Sequence, residues 1–241
     1  MIDRARSDAS TAARLGLLGG TFDPIHAGHL DVAAAALQAL ALDGVLLMPA
    51  NVPPHRSAPQ ASAPHRFAMC ALAIADRERL ALLDVELLSK ETSFTSASLD
   101  RLAAHGVDTR GLFLIAGGDA FREIETWKDF PALLDRCHFV VVSRPATPAS
   151  SLRAALPGLS DRMVDPARDL PVGGPARIVL VDAPTAPVSS TDVRRRLTAG
   201  ESIAGLVPDP VARYIARHGL YQQTSSAILG LRFPADTTRR T

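Results

Sequence analysis

A chain of 241 residues is long enough for one large domain with a substantial core or for two small ones, and its 47% hydrophobic content is ordinary for a globular protein. No apolar run reaches the length needed to cross a bilayer, and the charge-rich N-terminus lacks the apolar segment of a secretory signal, so a soluble, cytoplasmic protein is expected. The net charge of +1 gives no global attraction to nucleic acid or an anionic membrane; neither is expected as a partner, and any anion site must be local.

In chain order, residues 1–13 read as a flexible N-terminal extension, 14–221 as a single domain and 222–241 as a flexible tail without clear periodicity. Short, nearly continuous apolar runs at 14–19, 44–50, 80–87, 112–118, 138–144 and 177–183 read as buried strands of a parallel sheet covered on both faces. Between them lie helical patterns. Leu30, Ala33, Ala34, Leu37 and Leu40 share one face of the first, and 62–76, 96–105 and 129–135 are further helices. Alternating strand and helix predicts an α/β fold with right-handed crossovers. The Pro-, Gly- and Ser-rich stretch 146–176 reads as an irregular surface connection holding one short helix. Two C-terminal helices follow, in "STDVRRRLTAG" and "DPVARYIARHG", both ended by glycine. Cys70 and Cys137 fall in apolar segments without CxxC spacing and read as buried, reduced thiols.

Two segments carry chemistry. In an open parallel sheet, ligands bind beyond the carboxyl ends of the strands, and the turn after the first strand usually lines that crevice. "GGTFDPIHAGH" at 19–29 stands there. Gly19 and Gly20 allow close backbone approach, Asp23 and Pro24 shape a turn, and Gly28 and His29 open a helix whose free N–H groups favour an anion. His26 and His29, three apart, can face one crevice and donate to phosphate oxygens. The pair lacks a nearby third ligand and does not read as a metal site. Neither GxGxxG nor the P-loop pattern is present in this segment. The second segment, "VSSTDVRRRL" at 188–197, follows the last strand: Ser189, Ser190 and Thr191 offer cap hydroxyls and free amides, and Arg194 can reach back over the helix end. Three consecutive arginines fan out at roughly 100° intervals and cannot all serve one site, which leaves Arg195 and Arg196 to solvent. Two phosphate-grade helix ends on one sheet edge call for a polyphosphate between them.

With these two motifs in this order, the chain resembles the nucleotidyltransferase superfamily with its T/H-x-G-H and S-S-T-x-x-R motifs, and most closely the bacterial nicotinate mononucleotide adenylyltransferases. "MPANVPPHR", "RFAMCALAI", "SFT", "IAGGDAFREIETWKDFPALL", "VVVSRP" and "LVPDPVARYIARHGLY" agree, so the resemblance spans about 14–221. It implies a Rossmann-like, doubly wound parallel sheet of five to six strands with C-terminal helices. It also implies transfer of AMP from ATP to nicotinate mononucleotide, giving nicotinate adenine dinucleotide and pyrophosphate, with Mg2+ bridging the ATP phosphates. Carried over, His26, His29 and Arg194 are catalytic, and Gly19, Gly20, Thr21, Phe22, Gly28, Gly117, Asp119, Ser189, Ser190 and Thr191 join them in binding ATP. Asp119 either binds a ribose hydroxyl or caps the next helix. Trp127 matches the family's pyridine-stacking position, and its polar neighbours predict a partly exposed ring. Thr95 matches the region that reads the pyridine carboxylate. Pro54, His55 and Arg56 match a substrate loop in which the family commonly has lysine at position 56, and Arg144 matches a residue for the mononucleotide phosphate. Phe94 and Ala97 depart from the family's usual tyrosine and aspartate. The alternatives are another adenylyl- or cytidylyltransferase, such as the one acting on phosphopantetheine, or a nucleotide-binding regulator without catalysis; a homo-oligomer is compatible with all of these.

Overall fold

The computed structural model describes residues 13–222 apart from 54–57, 88, 168–169 and 171–173. The expectations for 1–12 and 223–241 therefore lie outside the described residues. The elements run β1 (Leu15–Gly20), α1 (Ala27–Ala39), β2 (Gly44–Pro49), α2 (Ala63–Ile74), β3 (Leu80–Leu82), α3 (Thr95–Ala104), β4 (Leu112–Gly117), α4 (Gly118–Phe121), β5 (His138–Val142), α5 (Leu152–Ala155), β6 (Met163–Val164), β7 (Ile178–Val181), α6 (Ser190–Thr198) and α7 (Asp209–His218).

All strand pairs are parallel, in the order β3-β2-β1-β4-β5-β7-β6. Strand order reverses between β1 and β4, where Leu15 pairs with both Gly44 and Leu112, so the ligand crevice of this architecture opens beyond Gly20 and Gly117. The near-continuous apolar runs have a direct cause. Along β5, Val140 and Val142 pack into one core with α1, α2, α6 and α7, whereas Phe139 and Val141 pack into a second core with α3, α4 and α5. Leu18 and Leu17 divide between the two cores in the same way on β1. Among the described residues no helix is long and apolar enough to cross a membrane.

The sheet has seven strands rather than five to six, because the stretch 146–176 contributes β6 and turns of 3-10 helix besides the short α5. Two residues of strand leave too short an alternation to be seen in sequence. The run 80–87 is strand only as far as Leu82; Leu87 N–H then closes a turn on Asp84 O and Glu86 is buried beneath α3. Within 129–135 the structure has a 3-10 turn, Ala132–Asp135, preceded by a cis Phe130–Pro131 bond. Residue 200 follows the α6 cap at Ala199 as a left-handed glycine, and Gly219, φ +59°, caps α7.

Candidate active site

The crevice is walled by the N-termini of α1 and α6. His26 is the N-cap of α1, with extended backbone, and is 2% exposed; His29 stands in the first turn, and the two rings stack with centroids 3.7 Å apart. The His26 backbone N–H donates to His29 Nδ1 at 3.2 Å. That bond makes Nδ1 an acceptor and puts the His29 proton on Nε2. Burial, and secondarily the Arg144 charge, lower the His26 pKa to about 3, so this imidazole is neutral at physiological pH. Of the two forms the sequence allowed for it, the structure selects the uncharged one. Phe22, buried and held at φ +49°, sets its ring edge against His29 at 5.0 Å.

At the other wall Ser189 caps α6, its Oγ accepting the Asp192 N–H at 3.1 Å. Arg194 turns back over the helix end, donating to Asp23 O at 2.6 Å and to Thr191 Oγ1 at 3.3 Å. Ser190 Oγ donates to Pro24 O at 2.9 Å, so this hydroxyl ties the two motifs together. Arg195 and Arg196 are not left to solvent alone; they pair with Asp192 and Glu201 on the outer side of α6. Arg144, after β5, donates to Gly28 O at 3.2 Å and Val188 O at 3.1 Å, bridging both helix entrances. A Cβ on Gly28 would stand 2.8 Å from Arg144 Nη1 and 3.1 Å from Ala186 O, so a larger residue would push the Arg144 guanidinium from its place and crowd the Ala186 carbonyl. The sequence reading aimed Arg144 at a substrate phosphate; its geometry adds a bracing role.

Asp23 corrects the reading of a mere turn residue. It is 5% exposed, and its carboxylate accepts N–H bonds from Gln60 at 2.8 Å and Ala61 at 3.1 Å and the Tyr221 hydroxyl at 2.7 Å. Below it lies Arg66, 1% exposed, donating to the carbonyls of Thr21, Ala50, Asn51 and Ala61. Neither Arg66 nor Tyr221 was singled out in sequence. Arg66 had a legible signal: it shares the apolar stripe of α2 with Met69, Cys70 and Ala73, where a charge demands partners.

Gly19, Gly20 and Thr21 end or follow β1 at the crevice, and Gly117 ends β4 beside Arg144. Asp119 is exposed in the first turn of α4, whose N-cap is Gly117, so it does not cap that helix. A cleft of about 380 Å³ beyond β5 and β7 is lined by Ser143, Arg144, Asp182 and Thr185 among others. Hydrogen bonds from Ser143 and Ser150 hold the Asp182 carboxyl below the usual carboxylate range. Sequence reasoning missed Ser143, Asp182 and Thr185, which follow strands without any motif. Farther along the edge, Thr95 opens α3, Trp127 is half-buried and Lys128 Nζ lies 5.1 Å from the ring of Phe94, the α3 N-cap. Ser93 Oγ and Ser96 Oγ there are buried without a hydrogen-bond partner among the described residues. Ala97 brings no carboxylate to this helix entrance; Ser98 Oγ instead donates to the buried Glu86 carboxylate. Pro54, His55 and Arg56 lie outside the described residues. Cys70 and Cys137 are free and buried, and burial pushes both thiols up, so they stay protonated.

Two helix N-termini facing one another across the switch point of a parallel sheet define a nucleotide-phosphate-binding α/β class of enzyme. The cytidylyltransferase-like family model matches residues 17–196. A probable nicotinate-nucleotide adenylyltransferase of Pseudomonas aeruginosa is 42% identical over 212 residues, covering 87% of this chain and 97% of that protein. One from Desulfatibacillum aliphaticivorans is 38% identical over 217 residues, covering 86% and 99%. Among solved structures, Plasmodium falciparum nicotinic acid mononucleotide adenylyltransferase complexed with NaAD superposes with a TM-score of 0.67 at 19% identity, over 87% of this chain and 97% of that one, a likeness of fold. The chain belongs to the cytidylyltransferase-like family and, within it, to the nicotinate-nucleotide adenylyltransferases.

Proposed function

We propose that the protein transfers AMP from ATP to nicotinate mononucleotide in NAD biosynthesis, releasing pyrophosphate and forming nicotinate adenine dinucleotide. The observation that carries the reading is the pair of facing cradles, His26–His29 at α1 and Ser190–Thr191–Arg194 at α6, locked together through Asp23 and Pro24. An oxygen of the mononucleotide 5'-phosphate attacks the α-phosphorus of ATP; that P–O bond forms as the bond to the bridging oxygen of the β-phosphate breaks. The attacking phosphate is already anionic, so no general base is needed, and positioning with charge offset carries the rate. His29 donates from Nε2 to the α-phosphate, neutral His26 shapes the pocket beside it, and the α1 amides with Gly19, Gly20, Thr21, Phe22 and Gly28 line the triphosphate path. Ser189, Ser190, Thr191 and Arg194 hold the departing β- and γ-phosphates. Gly117 and Asp119 serve the ATP ribose, and Arg144 supplies positive charge for the mononucleotide phosphate.

Mg2+, which use of ATP implies, would be held chiefly by the phosphates and would supply further charge neutralisation beside His29 and Arg194. The crevice side chains are N–H and O–H donors, Ser190, Thr191 and the Arg194 guanidinium among them, which suit phosphate oxygens and not a cation, so the phosphates themselves would carry the ion. Trp127 stacks on the pyridine. The free first-turn amides of α3 at Thr95 and the nearby Lys128 ammonium favour a carboxylate over a neutral amide, so nicotinate is preferred to nicotinamide mononucleotide. Free Cys70 and Cys137 fit a reducing compartment, the cytoplasm. Purified protein with ATP, Mg2+ and nicotinate mononucleotide is expected to release pyrophosphate, and faster than with nicotinamide mononucleotide. Release with phosphopantetheine but not with either mononucleotide would overturn the reading.

A further inference from the structure

The carboxylate of Asp23 has four partners that converge from three parts of the chain. Oδ1 accepts the Tyr221 hydroxyl and the Ala61 amide, and Oδ2 accepts the Gln60 amide and faces Arg194 Nη1 at 3.8 Å. The same Nη1 donates to Asp23 O, so a single residue holds the guanidinium by backbone and by charge. A guanidinium has five N–H donors, of which two are used here, on Asp23 O and Thr191 Oγ1. The others are left for phosphate oxygens. Tyr221, whose carbonyl also accepts the Thr198 hydroxyl at 3.2 Å, ends the segment after α7 and is 8% exposed. Burial, then its bond to Asp23, raise its phenol well above the ordinary value, so it remains a donor across the physiological range.

We propose that Asp23 and Tyr221 are positioning residues for the transferase reaction: the Tyr221 hydroxyl fixes the Asp23 carboxylate, and Asp23 holds Arg194 ready for the β- and γ-phosphates of ATP. Free arginine side chains sample many rotamers, and an arginine ordered before ligand arrives loses less entropy on binding. The proposal rests on the ATP half of the functional reading and not on the identity of the acceptor.

The decisive experiment is a double-mutant cycle read by equilibrium titration with a non-hydrolysable ATP analogue, with thermal melting as the control for folding. Asp23→Asn keeps the shape and removes the charge; Tyr221→Phe removes one oxygen and decides the matter should Asp23→Asn fail to fold. Each is expected to weaken the analogue, Asp23→Asn about tenfold and Tyr221→Phe a few-fold. KM for ATP rises accordingly, while KM for nicotinate mononucleotide stays within about twofold of wild type. In an Arg194→Ala background neither substitution weakens binding further. Losses that multiply with that of Arg194→Ala, or a parallel rise in both KM values, would overturn the positioning role. Absence of binding by the wild-type chain would overturn the ATP reading instead.

Discussion

An imidazole taken out of water resists protonation, and beside a guanidinium it resists more, which is why His26 stays neutral while retaining its place at the head of α1. His29 is only part-buried, and its proton sits on Nε2 because Nδ1 accepts the His26 amide. The two imidazoles therefore differ in burial and in hydrogen bonding, which supports the family resemblance in favouring His29 for the α-phosphate. His29→Ala is expected to lower kcat by roughly a hundredfold, the usual loss for a transition-state donor, while the fold survives. Steady-state kinetics beside a thermal melt check this; near-normal turnover would remove His29 from the mechanism. Spacing identified this pair, because residues three apart at a helix start share a face. Spacing could not identify Asp23, whose hydrogen bonds reach Gln60, Ala61 and Tyr221, as far as 198 positions along the chain.

At the level of elements, α1 and α6 matter through their N-termini, and both were legible. A serine cap ahead of an arginine-rich turn, and a histidine-glycine pair behind a strand, announce helix starts with free amides. Both caps are local, Ser189 Oγ accepting the Asp192 amide and His29 Nδ1 the His26 amide, each three positions away. Ser189→Ala is expected to lower stability by about 1 kcal/mol and, if the proposed phosphate cradle is right, to raise KM for ATP. Urea unfolding with ATP kinetics on the same variant tests both; an unchanged midpoint would show that the cap contributes nothing. Elements with weaker local signals were misjudged. The 3-10 turn Ala132–Asp135 and the two-residue β6 lack the length over which periodicity appears, and 80–87 mixed a short strand with a turn that buries Glu86.

For the whole molecule, the pH dependence of stability follows from the difference between folded and unfolded protonation. His26 titrates near about 3 in the folded chain and near about 6.5 when unfolded, so between those values the unfolded state binds more protons. Its contribution is fully present above about pH 6.5 and is lost as pH falls toward the folded value. Thermal melts of wild type should drop between about pH 6.5 and about pH 4, with a shallower slope in His26→Asn. Parallel slopes for the two proteins would show that His26 does not carry the effect.

The sequence by itself determined the α/β class, the parallel sheet, the starts of α1 and α6 and the family, because apolar runs, capping residues and short motifs act over a few neighbouring positions. Only the tertiary structure decided which histidine stays neutral, that Arg144 braces both cradles, and that Asp23, Arg66 and Tyr221 form a buried hub beneath them. Burial and long-range hydrogen bonds set those properties. They exist only once strands distant in sequence lie side by side and the segment after α7 returns to the turn after β1.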